Sequence, residues 1–160
     1  MKIFIIGVSG SGKTYLAEKL SKDLSIPHYD LDDVQWDGDA GVYGVKRDRE
    51  ERDMMLNKML DQGEWIVEGV YYAWCKRCFE EADRIILLDV PPQVYKYRIL
   101  KRYIRRKLKL EKGKKETWKS VRDLIRWADK YHKYDLVKIK KILDDHAEKV
   151  TILYNTKNPR

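Results

Sequence analysis

The sequence is poor in cysteine, histidine and proline, with two, three and four of them among its 160 residues. A structural zinc site needs about four Cys or His ligands, and His28, His132 and His146 lack the spacing of metal ligands or of a nucleophile's partners. We therefore interpret the three histidines as structural or exposed. Long apolar runs are also missing, because none reaches the ~18 residues that a membrane-spanning helix needs. No small-residue cleavage site follows the first apolar stretch, so we expect a cytoplasmic protein.

The two cysteines lie close together in the segment Trp74-Cys75-Lys76-Arg77-Cys78. This pattern is similar to the redox motif of thioredoxin, which belongs at a βα turn. Here the first βα turn carries a different, glycine-rich motif, and no second ligand pair accompanies Cys75 and Cys78. The sequence therefore favours two small residues on a short helix over a redox or metal-binding dithiol.

Acidic residues are almost missing from one basic segment, residues 96–115. This segment contains eleven Lys or Arg against Glu111 alone, whereas the whole chain contains 34 basic and 26 acidic residues. The basic segment therefore has a local charge of +10, and the other residues are slightly acidic. Such a local excess predicts an anionic partner, namely a nucleotide's phosphates, a nucleic acid or a membrane surface.

The most specific feature of the sequence is a glycine-rich motif between an apolar strand and a helix. Residues 7–14 match the phosphate-binding P-loop pattern G-x-x-x-x-G-K-[ST] and follow the run Lys-Ile-Phe-Ile-Ile of residues 2–6. Glycines let successive N–H groups face one cluster of phosphate oxygens, and the following helix N-terminus favours an anion. Lys13 is expected on the β- and γ-phosphates and the Thr14 hydroxyl on Mg²⁺. The predicted nucleotide-binding residues are Gly7, Ser9, Gly10, Ser11, Gly12, Lys13 and Thr14.

Four further apolar segments read as strands that alternate with helices. The strands cover about residues 28–31, 65–68, 84–88 and 150–154. Helical periodicity predicts helices over about residues 46–62, 71–81 and 135–146. Two further helices are expected, one that begins at Pro91-Pro92 and one that Thr117 caps. Strands that alternate with helices form a parallel sheet covered on both faces. The expected fold is thus one α/β domain over residues 1–160.

Acidic side chains follow two of these strands. Asp30, Asp32 and Asp33 come after the second strand, and Glu68 ends the third. Ligands of such sheets bind beyond the carboxyl ends of the strands, so we expect these carboxylates at the same edge as the P-loop. Phosphoryl transfer needs Mg²⁺ and a held acceptor. We therefore predict Asp32 as a catalytic residue, metal ligand and acceptor contact, and Glu68 as an acceptor contact, the alternative being capping or turn formation.

Two segments resemble the nucleoside-monophosphate-kinase group of P-loop proteins. Residues 65–69 (Trp-Ile-Val-Glu-Gly) are similar to the Asp-Gly that ends the third strand of adenylate kinases, with Glu in place of Asp. Residues 88–92 and 98–102 resemble their D-V-P and R-I-x-G-R sequences, with Lys101 in place of Gly. The resemblance implies a P-loop NTPase fold in three αβα layers, with a five-stranded parallel sheet in the order 2-3-1-4-5.

The same resemblance implies roles for several arginines. Arg98 and Arg102 would contact ATP and act in catalysis, and Arg122 and Arg126 are more loosely similar to arginines that reach the transferring phosphate. Residues 103–116 would form a short basic helical lid, without the Cys ligands of a zinc lid.

A resemblance over nearly the whole chain is to the small, adenylate-kinase-like family of DNA-topology-modulation proteins. Residues 31–36, 47–51 and 65–71 resemble its sequence blocks, although Glu68 and Val70 depart from its usual Asp-Gly-Asn-Tyr. That family name reports a genetic effect and does not establish a reaction.

The segment between the second and third strands lacks the usual monophosphate-binding pattern of adenylate kinases, so the acceptor need not be AMP. Arg47 and Arg49 are candidate contacts for an acceptor's phosphate, or else belong to a solvated helix face. Trp36 would stack on an acceptor's base, or else anchor its loop.

The first functional hypothesis is an ATP-dependent kinase of a small-molecule acceptor, with ATP and Mg²⁺ bound on the P-loop. Lys13, Arg98 and Arg102 would offset the charge of the γ-phosphoryl group, Asp32 would hold or deprotonate the acceptor, and the lid would exclude water.

The alternative is an ATP-binding regulatory or nucleic-acid-associated protein. Residues 96–115, with Tyr97 and Tyr103 interleaved, would then lie on a phosphate backbone. A lid that grips ATP explains the same charge without a second ligand, so we favour the kinase and expect no membrane partner.

Overall fold

The structure, a computed structural model, describes residues 1–38, 44–110 and 116–154. Its elements alternate between strands and helices in chain order: β1 (Lys2–Gly7), α1 (Lys13–Leu24), β2 (His28–Asp30), α2 (Leu31–Gln35), α3 (Arg49–Leu60), β3 (Trp65–Gly69), α4 (Lys76–Glu81), β4 (Arg84–Leu88), α5 (Pro92–Lys107), α6 (Trp118–Lys130), a π-helical turn (Tyr131–Asp135), α7 (Leu136–Asp144), a 3-10 turn (Ala147–Lys149) and β5 (Val150–Leu153).

The five strands form one parallel sheet in the order β2-β3-β1-β4-β5. The central strand β1 pairs Lys2 with Trp65 of β3 and Ile3 with Arg84 of β4. The edge strand β2 places Asp30 opposite Glu68. The predicted fold class and strand order are confirmed, and the sheet brings the ends of β1, β2 and β3 to one edge.

The side chains of β1 alternate between two apolar clusters, one on each face of the sheet. Ile3 and Ile5 pack with Ala17 of α1, whereas Phe4 and Ile6 belong to the larger cluster on the opposite face. Burial on both faces explains why β1 is apolar throughout. Each such buried side chain contributes about 1.5–3 kcal/mol to stability.

The helix expected over residues 71–81 is shorter in the structure, where α4 begins at Lys76. Residues 71–75 are irregular because their side chains make tertiary contacts, which override local helical preference. The Tyr71 hydroxyl donates to Asp32 Oδ1 and the Tyr72 hydroxyl to Asp135 Oδ1, each at 2.7 Å. The expected helix over 71–81 was thus wrong for its first turn.

Helix α2 was not expected, because the second strand was predicted to continue through Leu31. The other helices differ from expectation mainly at their ends. Helix α3 begins at Arg49 because the Asp48 side chain accepts a hydrogen bond from the Glu50 N–H at 3.0 Å, an N-cap. Helix α6 begins after Thr117, which forms a capping box with Ser120.

The expected lid overlaps the end of α5, which continues to Lys107. Residues 111–115 of the lid lie outside the described residues, so the lid remains a prediction. Within the described ranges, no helix has the length and apolar character required to cross a membrane.

Candidate functional site

The P-loop turns tightly between β1 and α1. Gly10 and Gly12 have φ angles of 79° and 101°, which favour glycine. A Cβ atom on Gly10 would lie 2.9 Å from the Tyr95 carbonyl oxygen, so the loop also packs closely on α5. The turn directs the N-terminus of α1, which begins at Lys13, toward a cleft at the sheet edge. This is the arrangement that a phosphate-binding loop requires.

Glu68, at the end of β3, meets the P-loop directly. Its Oε1 atom accepts a hydrogen bond from the Thr14 hydroxyl at 2.5 Å, and its Oε2 atom lies 3.9 Å from Lys13 Nζ. The Glu68 residue is only 2% exposed, and a buried carboxylate needs such partners. Lys13 Nζ also donates to the Val8 carbonyl oxygen at 3.3 Å. Glu68 therefore lies at the P-loop end of the cleft.

A second carboxylate lies beside Glu68 on the neighbouring strand. Burial, and next the charge of Glu68, raise the pKa of Asp30 to about 7. Asp30 Oδ1 accepts a hydrogen bond from the Asp32 N–H at 2.8 Å and so caps α2. Asp30 thus combines a capping role with a position in the cleft.

Asp32 lies in α2, two residues after Asp30, and is exposed to the cleft. Its Oδ1 atom accepts a hydrogen bond from the Tyr71 hydroxyl at 2.7 Å. Burial and this bond raise the pKa of Tyr71, and the Trp36 side chain is a further hydrogen-bonding neighbour of the hydroxyl. Trp36 is also paired through its backbone with Lys46. These contacts make Trp36 an anchor of its loop as well as part of the cleft wall.

Three arginines of α5 share one helix face, since Arg98, Arg102 and Arg106 are four residues apart. Arg98 Nη1 donates to the Ser11 carbonyl oxygen at 2.6 Å, and burial lowers the Arg98 pKa. Arg102 Nη2 and Arg106 Nη1 lie 3.5 Å and 3.0 Å from Glu116 Oε1. Arg98 therefore joins α5 to the P-loop, whereas Arg102 and Arg106 line the cleft beside Glu116.

The cations expected to contact an acceptor divide into two kinds. Arg47 is held by Glu51 Oε1 at 2.7 Å and by the Trp36 carbonyl oxygen at 3.3 Å, so it stabilises the loop before α3. Arg49 is exposed and forms no ion pair with any described residue. Arg52, which sequence reasoning missed, stacks on Trp74 at 4.6 Å. Only part of the predicted acceptor set is therefore free to contact a ligand.

These groups line one cleft of about 1130 Å³. Apart from Gly7, Ser11 and the more loosely matched Arg122 and Arg126, it brings together the predicted site residues: Ser9, Gly10, Gly12, Lys13, Thr14, Asp32, Trp36, Arg47, Arg49, Glu68, Arg98 and Arg102. Gly7 and Ser11 are buried beneath the loop. Arg122 and Arg126, matched more loosely in sequence, are exposed and do not line it.

The cleft also contains residues that the sequence did not reveal, notably Tyr71, Trp74, Arg52 and Arg106. The four-residue spacing from Arg102 was a signal for Arg106. Tyr71 ends the block of residues 65–71 that resembles the DNA-topology-modulation proteins, but it was given no site role because it fell in the segment expected to be helical. No pattern marked Trp74 as a site residue.

A magnesium site fits the oxygen donors present. No group of three or more His, Cys, Asp or Glu side chains is arranged to hold a metal among residues 1–38, 44–110 and 116–154. Mg²⁺ in nucleotide sites needs only one or two protein oxygens, because phosphates and water complete its coordination. The Thr14 hydroxyl and the Glu68 carboxylate, already in contact, supply such oxygens.

The cysteines have no direct access to the cleft. Cys75 and Cys78 are both buried, and the Cys75 thiol donates a hydrogen bond to the Tyr71 carbonyl oxygen at 2.9 Å. Burial, and next the neighbouring Cys78, raise the pKa of Cys75 well above its usual value. Because a thiolate is the reactive form, these features favour the structural interpretation of the pair.

Comparisons with known proteins agree with this fold. A family model named AAA_18, described as an AAA domain, matches residues 3–119. No curated protein matches the sequence. A shikimate kinase from Bacteroides thetaiotaomicron has 19% identity and a TM-score of 0.55, with 100% of this chain and 89% of that chain covered. A gluconokinase from Sinorhizobium meliloti 1021 has 13% identity and a TM-score of 0.54, with 98% and 83% covered.

At these identities the two kinases share the fold alone with this chain. The family model, in contrast, spans the P-loop, the carboxylates after β2 and β3, and the arginines of α5. The chain therefore belongs to the AAA_18 (AAA domain) family, a kinase-like family of P-loop NTPases.

Proposed function

We propose that this protein is an ATP-dependent kinase that transfers the γ-phosphoryl group of ATP to a hydroxyl group of a small molecule. One observation carries the proposal: a single cleft is lined by the P-loop, by carboxylates that follow two strands, and by the arginines of α5. Phosphoryl transfer depends on positioning and charge stabilisation more than on covalent chemistry. The named activities of the two similar structures, a shikimate kinase and a gluconokinase, support a small acceptor.

The nucleotide occupies the P-loop end of the cleft in this proposal. The N–H groups at the start of α1 bind the phosphates, and Lys13, only 8% exposed, lies where little water screens its charge. Arg98 is held on the loop through the Ser11 carbonyl oxygen. Arg102 completes a cationic wall that offsets the charge on the transferring group.

Thr14 and Glu68 are the residues that would hold Mg²⁺. When bound, the ion neutralises charge on the β- and γ-phosphate oxygens. In this proposal Glu68 acts at the phosphate end of the cleft, whereas the sequence analysis predicted it as an acceptor contact. Asp32 is left for the acceptor, because its Oδ1 atom is bound to Tyr71 and its Oδ2 atom accepts no hydrogen bond within the described residues.

The chemical step conserves charge and protons. The acceptor's hydroxyl oxygen forms a bond to the γ-phosphorus, the bond from that phosphorus to the β–γ bridging oxygen breaks, and ADP leaves. The hydroxyl proton passes to the Asp32 carboxylate and then to water. Asp32 thus orients and deprotonates the acceptor, a role worth about 10²- to 10⁴-fold in rate.

The acceptor class follows from two lines of support. The resemblance to nucleoside-monophosphate kinases favours a nucleotide or nucleoside, and the named activities of the similar structures favour a hydroxylated metabolite. We propose that the protein is adenylate-kinase-like in its use of ATP and phosphorylates a hydroxyl oxygen in the cytoplasm, with the basic residues beyond Arg102 closing over the nucleotide. The link to the DNA-topology-modulation proteins remains a sequence prediction.

The test is ADP release from ATP and Mg²⁺ with separate pools of nucleoside monophosphates, nucleosides and hydroxylated metabolites. We expect one pool to stimulate release, and Lys13→Ala to abolish the stimulation. Lys19→Ala, a change on the exposed side of α1, is the matched control and should keep it. ATP binding without stimulation by any pool would contradict the proposal and favour the regulatory or nucleic-acid-associated alternative.

A further inference from the structure

We infer that Tyr71 is the positioning residue of the acceptor carboxylate: its hydroxyl fixes Asp32 so that one carboxylate oxygen faces the acceptor. This inference rests on the proposed kinase function. It starts from the 2.7 Å hydrogen bond that the Tyr71 hydroxyl donates to Asp32 Oδ1. Both side chains line the cleft.

Asp32 needs such a partner because little else restrains its side chain. It lies in the short helix α2, is exposed, and forms no ion pair within the described ranges. An exposed aspartate samples several rotamers, and fixing one of them costs conformational entropy. A hydrogen bond from a fixed hydroxyl restrains Oδ1 and leaves Oδ2 to accept the hydrogen bond of an acceptor hydroxyl. Preorganisation of this kind lowers the barrier to the chemical step.

Tyr71 is itself held from several sides. Its ring packs on Trp74 with a centroid separation of 5.0 Å, and its carbonyl oxygen accepts a hydrogen bond from the Cys75 thiol at 2.9 Å. The preceding residue, Val70, has its carbonyl oxygen bound to the Tyr131 hydroxyl at 2.9 Å. The donor is therefore better fixed than the carboxylate it contacts.

The chain supplies a matched comparison at the next residue. The Tyr72 hydroxyl also donates to an aspartate oxygen at 2.7 Å, but that aspartate is Asp135 of the π-helical turn. Tyr72 does not line the cleft. Tyr71→Phe and Tyr72→Phe therefore each remove one hydroxyl and one hydrogen bond of equal length, and only the first bond reaches the proposed acceptor carboxylate.

The experiment measures kcat and KM for wild type, Tyr71→Phe, Tyr72→Phe, Asp32→Asn and the Tyr71→Phe/Asp32→Asn double variant, with the stimulating acceptor. We expect Tyr71→Phe to lower kcat about 10- to 100-fold, the range for loss of a hydrogen bond to a charged group. KM for ATP should stay within about twofold, because Tyr71 does not contact the P-loop, and Tyr72→Phe should keep the wild-type kcat. In the Asp32→Asn background, Tyr71→Phe should cause less than about a twofold further loss, because the two residues act as one unit.

Thermal unfolding of Tyr71→Phe and Tyr72→Phe separates a structural effect from positioning, since both variants lose a comparable hydrogen bond. Equal kcat for Tyr71→Phe and Tyr72→Phe, or an undiminished effect of Tyr71→Phe in the Asp32→Asn background, would overturn the inference while leaving the kinase intact. A wild-type protein with no acceptor-dependent turnover would overturn the kinase itself and, with it, this inference.

Discussion

Asp30→Asn should stabilise the protein above neutral pH. In the folded chain, burial and the charge of Glu68 raise the Asp30 pKa from its ordinary 3.8 to about 7. Between these two values the unfolded chain releases the proton while the folded chain keeps it. The stability of the wild type therefore falls as the pH rises from about 4 to about 7, and above pH 7 the loss is complete.

The size of the effect follows from the shift. The folded and unfolded pKa values of Asp30 differ by roughly 3, which corresponds to about 4 kcal/mol of unfolding free energy at 1.36 kcal/mol for a pKa difference of one. Asp30 retains partial contact with water, so we expect about 2–4 kcal/mol after screening. Asparagine carries no charge and remains a good N-cap, so the variant keeps the bond from the Asp32 N–H and loses the penalty.

Urea unfolding in EDTA, at several pH values between 4 and 8, measures the difference between the variant and the wild type. The expected gain is near zero at pH 4 and about 2–4 kcal/mol at pH 8. Asp33→Asn is the control, because Asp33 is exposed and its side chain bonds no described residue; it should give a small difference that does not grow with pH. A stability difference for Asp30→Asn that stays constant from pH 4 to pH 8 would refute this reasoning.

Three further changes probe the nucleotide end of the cleft. Gly10→Ala should weaken ATP binding at least about tenfold in calorimetry, because φ is positive and the new Cβ meets an α5 carbonyl oxygen 2.9 Å away. Gly63→Ala, with nothing within 4 Å, should bind normally. Glu68→Gln should raise the Mg²⁺ concentration for half-maximal turnover about tenfold; an unchanged requirement would remove Glu68 from the metal site. Glu116→Gln should tighten ATP binding about fivefold in calorimetry, because ATP no longer competes with Glu116 for Arg102, and weaker binding would contradict that competition.

The sequence was most informative where function depends on consecutive residues. The P-loop pattern predicted the strand, the turn and the start of α1, because its chemistry is local to residues 7–14. The apolar runs predicted the strands, and the family resemblance supplied their order. The sheet order is confirmed by the pairing of β1 with both β3 and β4.

The sequence was less informative about contacts between distant residues. The Thr14–Glu68 hydrogen bond joins residues 54 positions apart, and the register of β1 with β3 creates it. Tyr71 was given no site role because helical periodicity was extended through residues 71–75, whereas hydrogen bonds from Tyr71 to Asp32 and from Tyr72 to Asp135 keep that segment irregular. Side-chain partners of this kind depend on tertiary geometry, which no local pattern records.

The central claim is that the cleft moves a phosphoryl group from ATP to a small hydroxyl compound. The most direct measurement is ³¹P NMR of ATP, Mg²⁺ and the stimulating acceptor during turnover, with Lys13→Ala as the control. The account predicts one new phosphomonoester resonance for each ADP formed, and none with the variant. Inorganic phosphate as the sole product beside ADP would contradict it, because the cleft would then transfer the group to water.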